Sequence, residues 1–505
     1  MMKKTLAFLL FALMLSPCNA YAQDWSQLSE DYFSKNDYDG FYAVLKAVPD
    51  PTAEVHYYLA LTRQKNIDFW NASKNWEGVF DQAAAFKKEI LGDLKLAQGL
   101  LKNDPVLALK IKVLRWRRAR EDDPDSADGL FSDLLKTAQD GPGSAAILEV
   151  IRSIADELSL LEDKNLARRL YEVYVRKLIA SDLSKEELKE KGALFLAREN
   201  VYLAKALFDG YLARYADTKA LEAKERVRVA DLFSHQDNGS GPDPVFAEEM
   251  YQKAVASEGV VCFESASQYR RAFNLERMKE YTPAAQEYKN LLSNFTDYKD
   301  KAAINFRLGV ISAYAFRDFE TAAAYFLKVK DDPAEGALAL SALYQLGLLD
   351  HHKGDKEKAK EFYAACLEKA KGLGLDAQKN EICLMAQERL KEIEEIREMA
   401  HPLKLFFEGL AKKETFLFVD LTGAPPKQDP SRPEVFTVTT SNPQTGCMMP
   451  VYAYEWSGET GSTVNIANAP QLTTDYPSGR IKVVMVAVVG PKDLEGVGFD
   501  MVEVK

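Results

Sequence analysis

The stretch SALYQLGLLDHHKGDKEKAKEFYAAC, residues 341–366, decides how this chain folds. Leu343, Leu346 and Gly347 recur three and four apart, Gly354 interrupts, and Ala359, Tyr363 and Cys366 then resume the same spacing. That is the pattern of two helices joined by a short turn. Gly347 in the first helix and Ala359 in the second lie 12 residues apart. Small side chains at both places let the two backbones approach, and the aromatic Tyr363 fills the adjoining groove. A hairpin of this kind cannot bury its remaining apolar face alone, so it requires neighbours.

The neighbours are present. Ala247, Ala284, Ala322 and Ala359 follow one another at steps of 37, 38 and 37, and each is followed four residues later by Tyr251, Tyr288, Phe326 or Tyr363. First helices repeat as well. Ile151, Ile154-Ala155 and Leu158 precede Ala167, Tyr171 and Tyr174 with the same 12-residue step, and weaker copies run through Ala272 with Ala284 and Leu308-Gly309 with Ala322. A fixed period of this length means stacked repeats.

These residues resemble the tetratricopeptide repeat superfamily, whose units pair two helices through small residues and an aromatic. The likeness covers residues 140 to 370 well and the flanks by texture, with a period slightly longer than the family's. It implies a mainly α fold, a solenoid of roughly ten helix pairs over residues 23–411. Asp50-Pro51, Asp104-Pro105 and Gly141-Pro142-Gly143 punctuate that region, and Asn238-Gly239-Ser240-Gly241-Pro242 reads as an inserted loop. After Lys413 the texture changes to short Val-, Thr- and Tyr-rich runs separated by Pro and Gly. Residues 412–505 therefore read as a small β-sandwich-like domain, with strands expected at 415–419, 435–440, 451–456, 463–466, 481–489 and 499–504. The run from Val483 to Val489 is apolar on both faces, as a central buried strand is.

The N-terminus places Lys3 and Lys4 before an apolar run from Leu6 to Leu15 and ends in Ala20-Tyr21-Ala22. That order is a secretory signal, so residues 1–22 are expected to be removed and the protein to be periplasmic or secreted. Acylation at Cys18 is disfavoured by Pro17 before it. No transmembrane segment is expected. The formal net charge of −11 argues against nucleic acid as a partner. Of the cysteines left after processing, Cys366 and Cys383 fall on consecutive helices and form the candidate disulfide; buried free thiols are the alternative.

Catalytic signatures are absent from the sequence, and the chain reads as a non-enzyme without cofactor or metal. Glu264-Ser265 resembles the catalytic pair of lytic transglycosylases, but the rest of that signature does not follow, and a carboxylate at a helix start has an ordinary dipole rationale. His351-His352 sits at a helix end, where the same rationale applies.

The family resemblance implies that first helices line an inner face that binds extended peptides. Counting back three from the small residue of each first helix gives Tyr269, Phe306 and Tyr344; counting back two gives Arg228, Arg270 and Arg307. An aromatic column beside an arginine column would suit a polypeptide partner. On this reading the protein is an exported scaffold or adaptor. The alternative is a cell-envelope glycan-binding or peptidoglycan-acting protein; for glycan binding, Tyr452, Tyr454 and Trp456 would supply a stacking face.

Overall fold

The computed structural model describes residues 24–74, 79–160, 163–215, 218–235, 241–332, 336–412, 418–424, 434–441, 453–458, 471–474, 481–490 and 494–503. The signal segment with Cys18, Cys447, Tyr452 and the strand expected at 463–466 lie outside them. No helix among the described residues is long and apolar enough to cross a membrane. The chain divides into two compact units at Tyr211/Leu212.

The first unit contains α1 (Trp25–Phe33), α2 (Tyr38–Lys46), α3 (Ala53–Ser73), α4 (Phe80–Leu100), α5 (Pro105–Asp122), α6 (Pro124–Asp140), α7 (Ala145–Leu160), α8 (Lys164–Ala180), α9 (Lys185–Ala197) and most of α10 (Val201–Ala213). They pair as α3 with α4, α5 with α6 and α7 with α8, while α5 also touches α7. Gly192 in α9 admits the ring of Phe208 from α10, which a Cβ at Gly192 would meet at 3.1 Å.

The second unit opens with the hairpins α11 (Lys219–Phe233) with α12 (Pro244–Glu258), α13 (Ser265–Arg277) with α14 (Tyr281–Asn294), α15 (Lys301–Val310) with α16 (Phe319–Lys330) and α17 (Gly336–Lys353) with α18 (Lys356–Gly372). Then come α19 (Glu381–Glu394) and α20 (His401–Ala411). All four repeat alanines and all four repeat aromatics are completely buried. A Cβ on Gly347 would stand 2.4 Å from the Tyr363 ring, and one on Gly309 2.6 Å from the Phe326 ring. The hairpins thus close around small residues, as tetratricopeptide-like packing requires.

Local chemistry repeats with the same stride. Asp163, Asp243, Asp318 and Asp355 each precede a repeat alanine by four and accept a hydrogen bond from the backbone N–H three residues on, capping the second helix of their hairpin. The turns before second helices use left-handed residues, Glu199, Lys279, Arg317 and Gly354. Successive units are tied by lysines: Lys369 Nζ donates to the Lys330 carbonyl at 2.6 Å, and Lys177 Nζ to the Gln139 carbonyl at 2.9 Å. These close carbonyls left open at helix C-termini.

Among the described residues six strands follow α20: β1 (Phe418–Ala424), β2 (Glu434–Ser441), β3 (Ala453–Gly458), β4 (Gln471–Thr474), β5 (Ile481–Val489) and β6 (Leu494–Glu503). They form two antiparallel three-stranded sheets, ordered β1-β2-β4 and β3-β5-β6. β4 was not expected, because Gln471-Leu472-Thr473-Thr474 carries no alternation long enough to register as a strand. The sheets share a core in which Leu421 and Val438 face Trp456, Val484, Val486, Val488 and Val502. Residues of opposite parity on β5, Ile481, Val483 and Met485, join Phe499 and Met501 of β6 against Tyr314, Phe406, Phe407 and Leu410 of the helices. The double-sided apolarity of β5 follows from this: one face packs the sandwich and the other packs helix.

Burying that second face stabilises the arrangement by on the order of 10 kcal/mol, at about 1.5–3 kcal/mol per large apolar side chain. The β strands are therefore a fixed wall of the second unit. Tyr314 is the hub, with ring centroids 5.4 Å from Phe406 and 5.7 Å from Phe499. It lies in a π turn, Ile311–Ala315, that continues α15. Gly409 of α20 gives room to Val497, whose methyl a Cβ there would meet at 2.3 Å.

Candidate functional site

β6 lies along α13. Arg277 Nη1 donates to Asp500 at 2.9 Å and to the Met501 carbonyl at 3.2 Å, and Lys279 Nζ donates to Asp500 at 3.0 Å and to the Leu421 carbonyl at 2.8 Å. Further on, Glu503 accepts from Arg307 Nη2 at 3.0 Å and from the Tyr269 hydroxyl at 3.4 Å.

Beneath this seat Arg307 also pairs with Glu276, which accepts the Tyr288 hydroxyl at 2.9 Å. Burial pushes the Glu276 carboxyl above the usual carboxylate range against the pull of Arg307. The Arg307 guanidinium is fully buried, with Nη1 on Glu276, Nη2 on Glu503 and its Nε without a hydrogen-bond partner.

Where β6 ends, a cleft of about 270 Å³ opens. Ser265, Ala266, Tyr269, Arg270 and Phe273 of α13 form one side; Tyr298, Asp300 and Ala303, at the approach to and within α15, form another; Glu503 closes the end. The Tyr269 ring lies nearly parallel to those of Phe273 and Tyr298, with centroids at 6.0 and 6.4 Å. Arg270 Nη1 donates to the Asp231 carbonyl at 3.3 Å.

The two columns expected from the sequence separate. Tyr269 and Arg270 line the cleft, and Arg228 is exposed beside Glu225. Phe306 is fully buried against Phe326 at 5.5 Å, and Tyr344 is buried against Tyr363 at 6.0 Å. A residue three before the small one lies about 60° from it on the helix, which leaves Phe306 and Tyr344 on the packed side while Tyr269 stays half-buried at the cleft; a residue two before lies on the opposite face. Arg307 is on that opposite face, but β6 covers it. Tyr298, Asp300 and Glu503 were missed; the first two stand at a turn, and nothing local ties Glu503 to residues some 200 positions earlier.

Other expectations are corrected. Cys366 and Cys383 are buried and not joined in a disulfide, with Cys366 Sγ 3.6 Å from the Leu340 carbonyl on α17, toward the preceding helix. Burial, helped by Arg389 and Lys356, lowers the His351 pKa to about 4, so the charged form that a helix dipole would favour is disfavoured. Trp456 is buried in the sandwich core with Tyr454 packed against it, so these two do not form an open stacking face. Glu264 is an exposed residue at the N-cap of α13.

No protein-family model matches the chain, and no curated protein sequence does. Among solved structures it is similar to a Rap protein complexed with Competence and Sporulation Factor, at 14% identity and a TM-score of 0.21 over 67% of this chain and 98% of that one. It is also similar to the P58(IPK) TPR domain, at 14% identity and a TM-score of 0.20 over 73% of this chain and 96% of that one. A circular tandem repeat protein of novel topology follows at 13% identity and a TM-score of 0.15, over 76% of this chain and 88% of that one. At such scores the fold rests on the packing described above: a mainly α chain of tetratricopeptide-like hairpins with a small antiparallel β sandwich at its C-terminal end.

Proposed function

We propose that this protein is an exported interaction scaffold that binds a polypeptide partner on the first-helix face of its second unit. One observation carries the reading. That face already holds an extended segment of the chain itself, β6, through side-chain and backbone contacts to Arg277, Lys279, Arg307 and Tyr269, and an aromatic-walled cleft continues from its end. A surface that seats one strand by its side chains has the chemistry to seat another. Rigid aromatics give contact area at low entropic cost.

The N-terminal signal pattern supports export, and N-terminal sequencing of the chain recovered from an envelope fraction should begin at Gln23. For binding, the intact mature chain is exposed to an array of nonapeptides of varied composition and, separately, to peptidoglycan and soluble polysaccharides. Peptides should be retained and glycans should not. Retention of glycans alone would replace this reading with the glycan-binding one.

A further inference from the structure

We infer that ordered water, one molecule or a hydrogen-bonded pair, is a built-in ligand of the last repeat, held between α17, α18 and α19 by His351, Tyr363, Arg389 and Glu392. The inference is independent of the peptide-binding face. All four side chains are more than nine-tenths buried, and they come from three different helices. The Tyr363 ring meets the His351 ring edge-on at 6.3 Å, and Arg389 Nη2 stands 2.8 Å from Glu392 Oε1. The charge of Arg389 acts on both His351 and Tyr363, and that of Glu392 acts on Tyr363, so the four groups share one region.

Each of them carries a buried polar atom with no hydrogen-bond partner among the described residues: Nδ1 of His351, Oη of Tyr363, Nε of Arg389 and Oε2 of Glu392. An orphaned buried polar atom is costly, and four in one place would consume a large share of a domain's stability. Direct pairing does not relieve them. Arg389 and Glu392 lie three residues apart on one helix and meet through Nη2 and Oε1, which leaves Nε and Oε2 to other partners.

The donor set says which partner fits. Burial, with Arg389 and Lys356 adding to it, keeps the imidazole neutral by lowering its pKa to about 4, so Nδ1 can accept. Burial also holds the Tyr363 phenol well above its usual range, so its O–H donates. Two donors, Arg389 Nε–H and Tyr363 O–H, thus stand with two acceptors, Glu392 Oε2 and His351 Nδ1. A cation would meet the guanidinium, and an anion would meet the carboxylate. Water has two hydrogens and two lone pairs, and internal waters make about 3 hydrogen bonds to polar groups that the protein cannot otherwise satisfy. It answers all four atoms.

A high-resolution crystal structure of the intact mature chain tests the site directly. Water density within hydrogen-bond distance of at least three of the four atoms is expected; direct bonds among these side chains, or to other protein groups, with no water between them overturn the inference. Tyr363→Phe gives a second readout by urea unfolding of the second unit. Removing a hydroxyl that bonds to held water should raise the unfolding equilibrium constant about fivefold. An unchanged or lowered constant would mean that the hydroxyl is orphaned in the fold, which also overturns it. Should Tyr363→Phe fail to fold, the crystal structure of the unaltered chain decides alone.

Discussion

Replacing Gly347 by alanine probes a close approach between two helices of the second unit. The new Cβ would stand 2.4 Å from Tyr363 Cε1, and the equivalent change at Gly309 would place it 2.6 Å from Phe326 Cε1. Ordinary contact begins near 3.4 Å, so a buried ring or a whole helix must retreat by about 1 Å, and overpacking of this kind costs about 1–3 kcal/mol. Alanine also gains about 1 kcal/mol over glycine in a helix interior. Gly92 on α4 separates the two effects, since nothing lies within 4 Å of a Cβ built there. Thermal unfolding followed by circular dichroism reads each variant in the transition of its own unit. Gly92→Ala should hold or raise stability, while Gly309→Ala and Gly347→Ala should fall below it by about 1–3 kcal/mol each, a few degrees in Tm. If all three variants shift alike, the hairpins are not closed on these glycines and the packing argument is wrong.

Other expectations follow from the same geometry. Glu199 holds a left-handed φ of 58° at an exposed turn, so Glu199→Gly should stabilise the first unit by about 0.5–1 kcal/mol in urea denaturation. Arg307→Met leaves Glu276 buried without its cation and should destabilise the second unit by about 3–5 kcal/mol at pH 7. Because the Glu276 carboxyl is already pushed upward, that loss should shrink at pH 5, where the group protonates more readily; equal losses at both values would count against the pairing. His351 titrates near 4 when folded and near 6.5 when unfolded, so the unfolded chain binds the extra proton between those values and stability falls as pH drops through them. The full shift is worth at most about 3 kcal/mol, reduced to about 1–2 kcal/mol by solvent screening. His351→Phe should flatten that stretch of the stability profile.

Much of the hairpin architecture was legible because it repeats. Ala247, Ala284, Ala322 and Ala359 with their trailing aromatics are local, periodic and forced by packing, so a single sequence displays them. The aspartate four residues before Ala167, Ala247, Ala322 and Ala359 was equally available as a capping signal. β5 could be recognised as buried on both faces, although not that helices supply the second covering. The site was less legible for two different reasons. Phe306 and Tyr344 were placed on the open face but are buried, whereas Tyr269, at the same three-residue step, reaches the cleft, so the step does not by itself fix the face. Pairings such as Arg277 with Asp500, 223 residues apart, and Arg307 with Glu503, 196 apart, leave no local trace. Only the folded chain brings them together, and with them the cleft.

The central claim is that the C-terminal strands and the last hairpins share one core, so that β6 is a permanent wall of the binding face. Phe499→Ala tests it, since Phe499 stacks on Tyr281 at 5.2 Å and packs against Tyr314, and its loss should cost about 3–5 kcal/mol. Hydrogen–deuterium exchange of the intact chain should then quicken together in residues 301–315, 401–411 and 481–503. Faster exchange confined to 481–503, with the helical segments unchanged, would contradict the shared core and remove the wall on which the cleft depends.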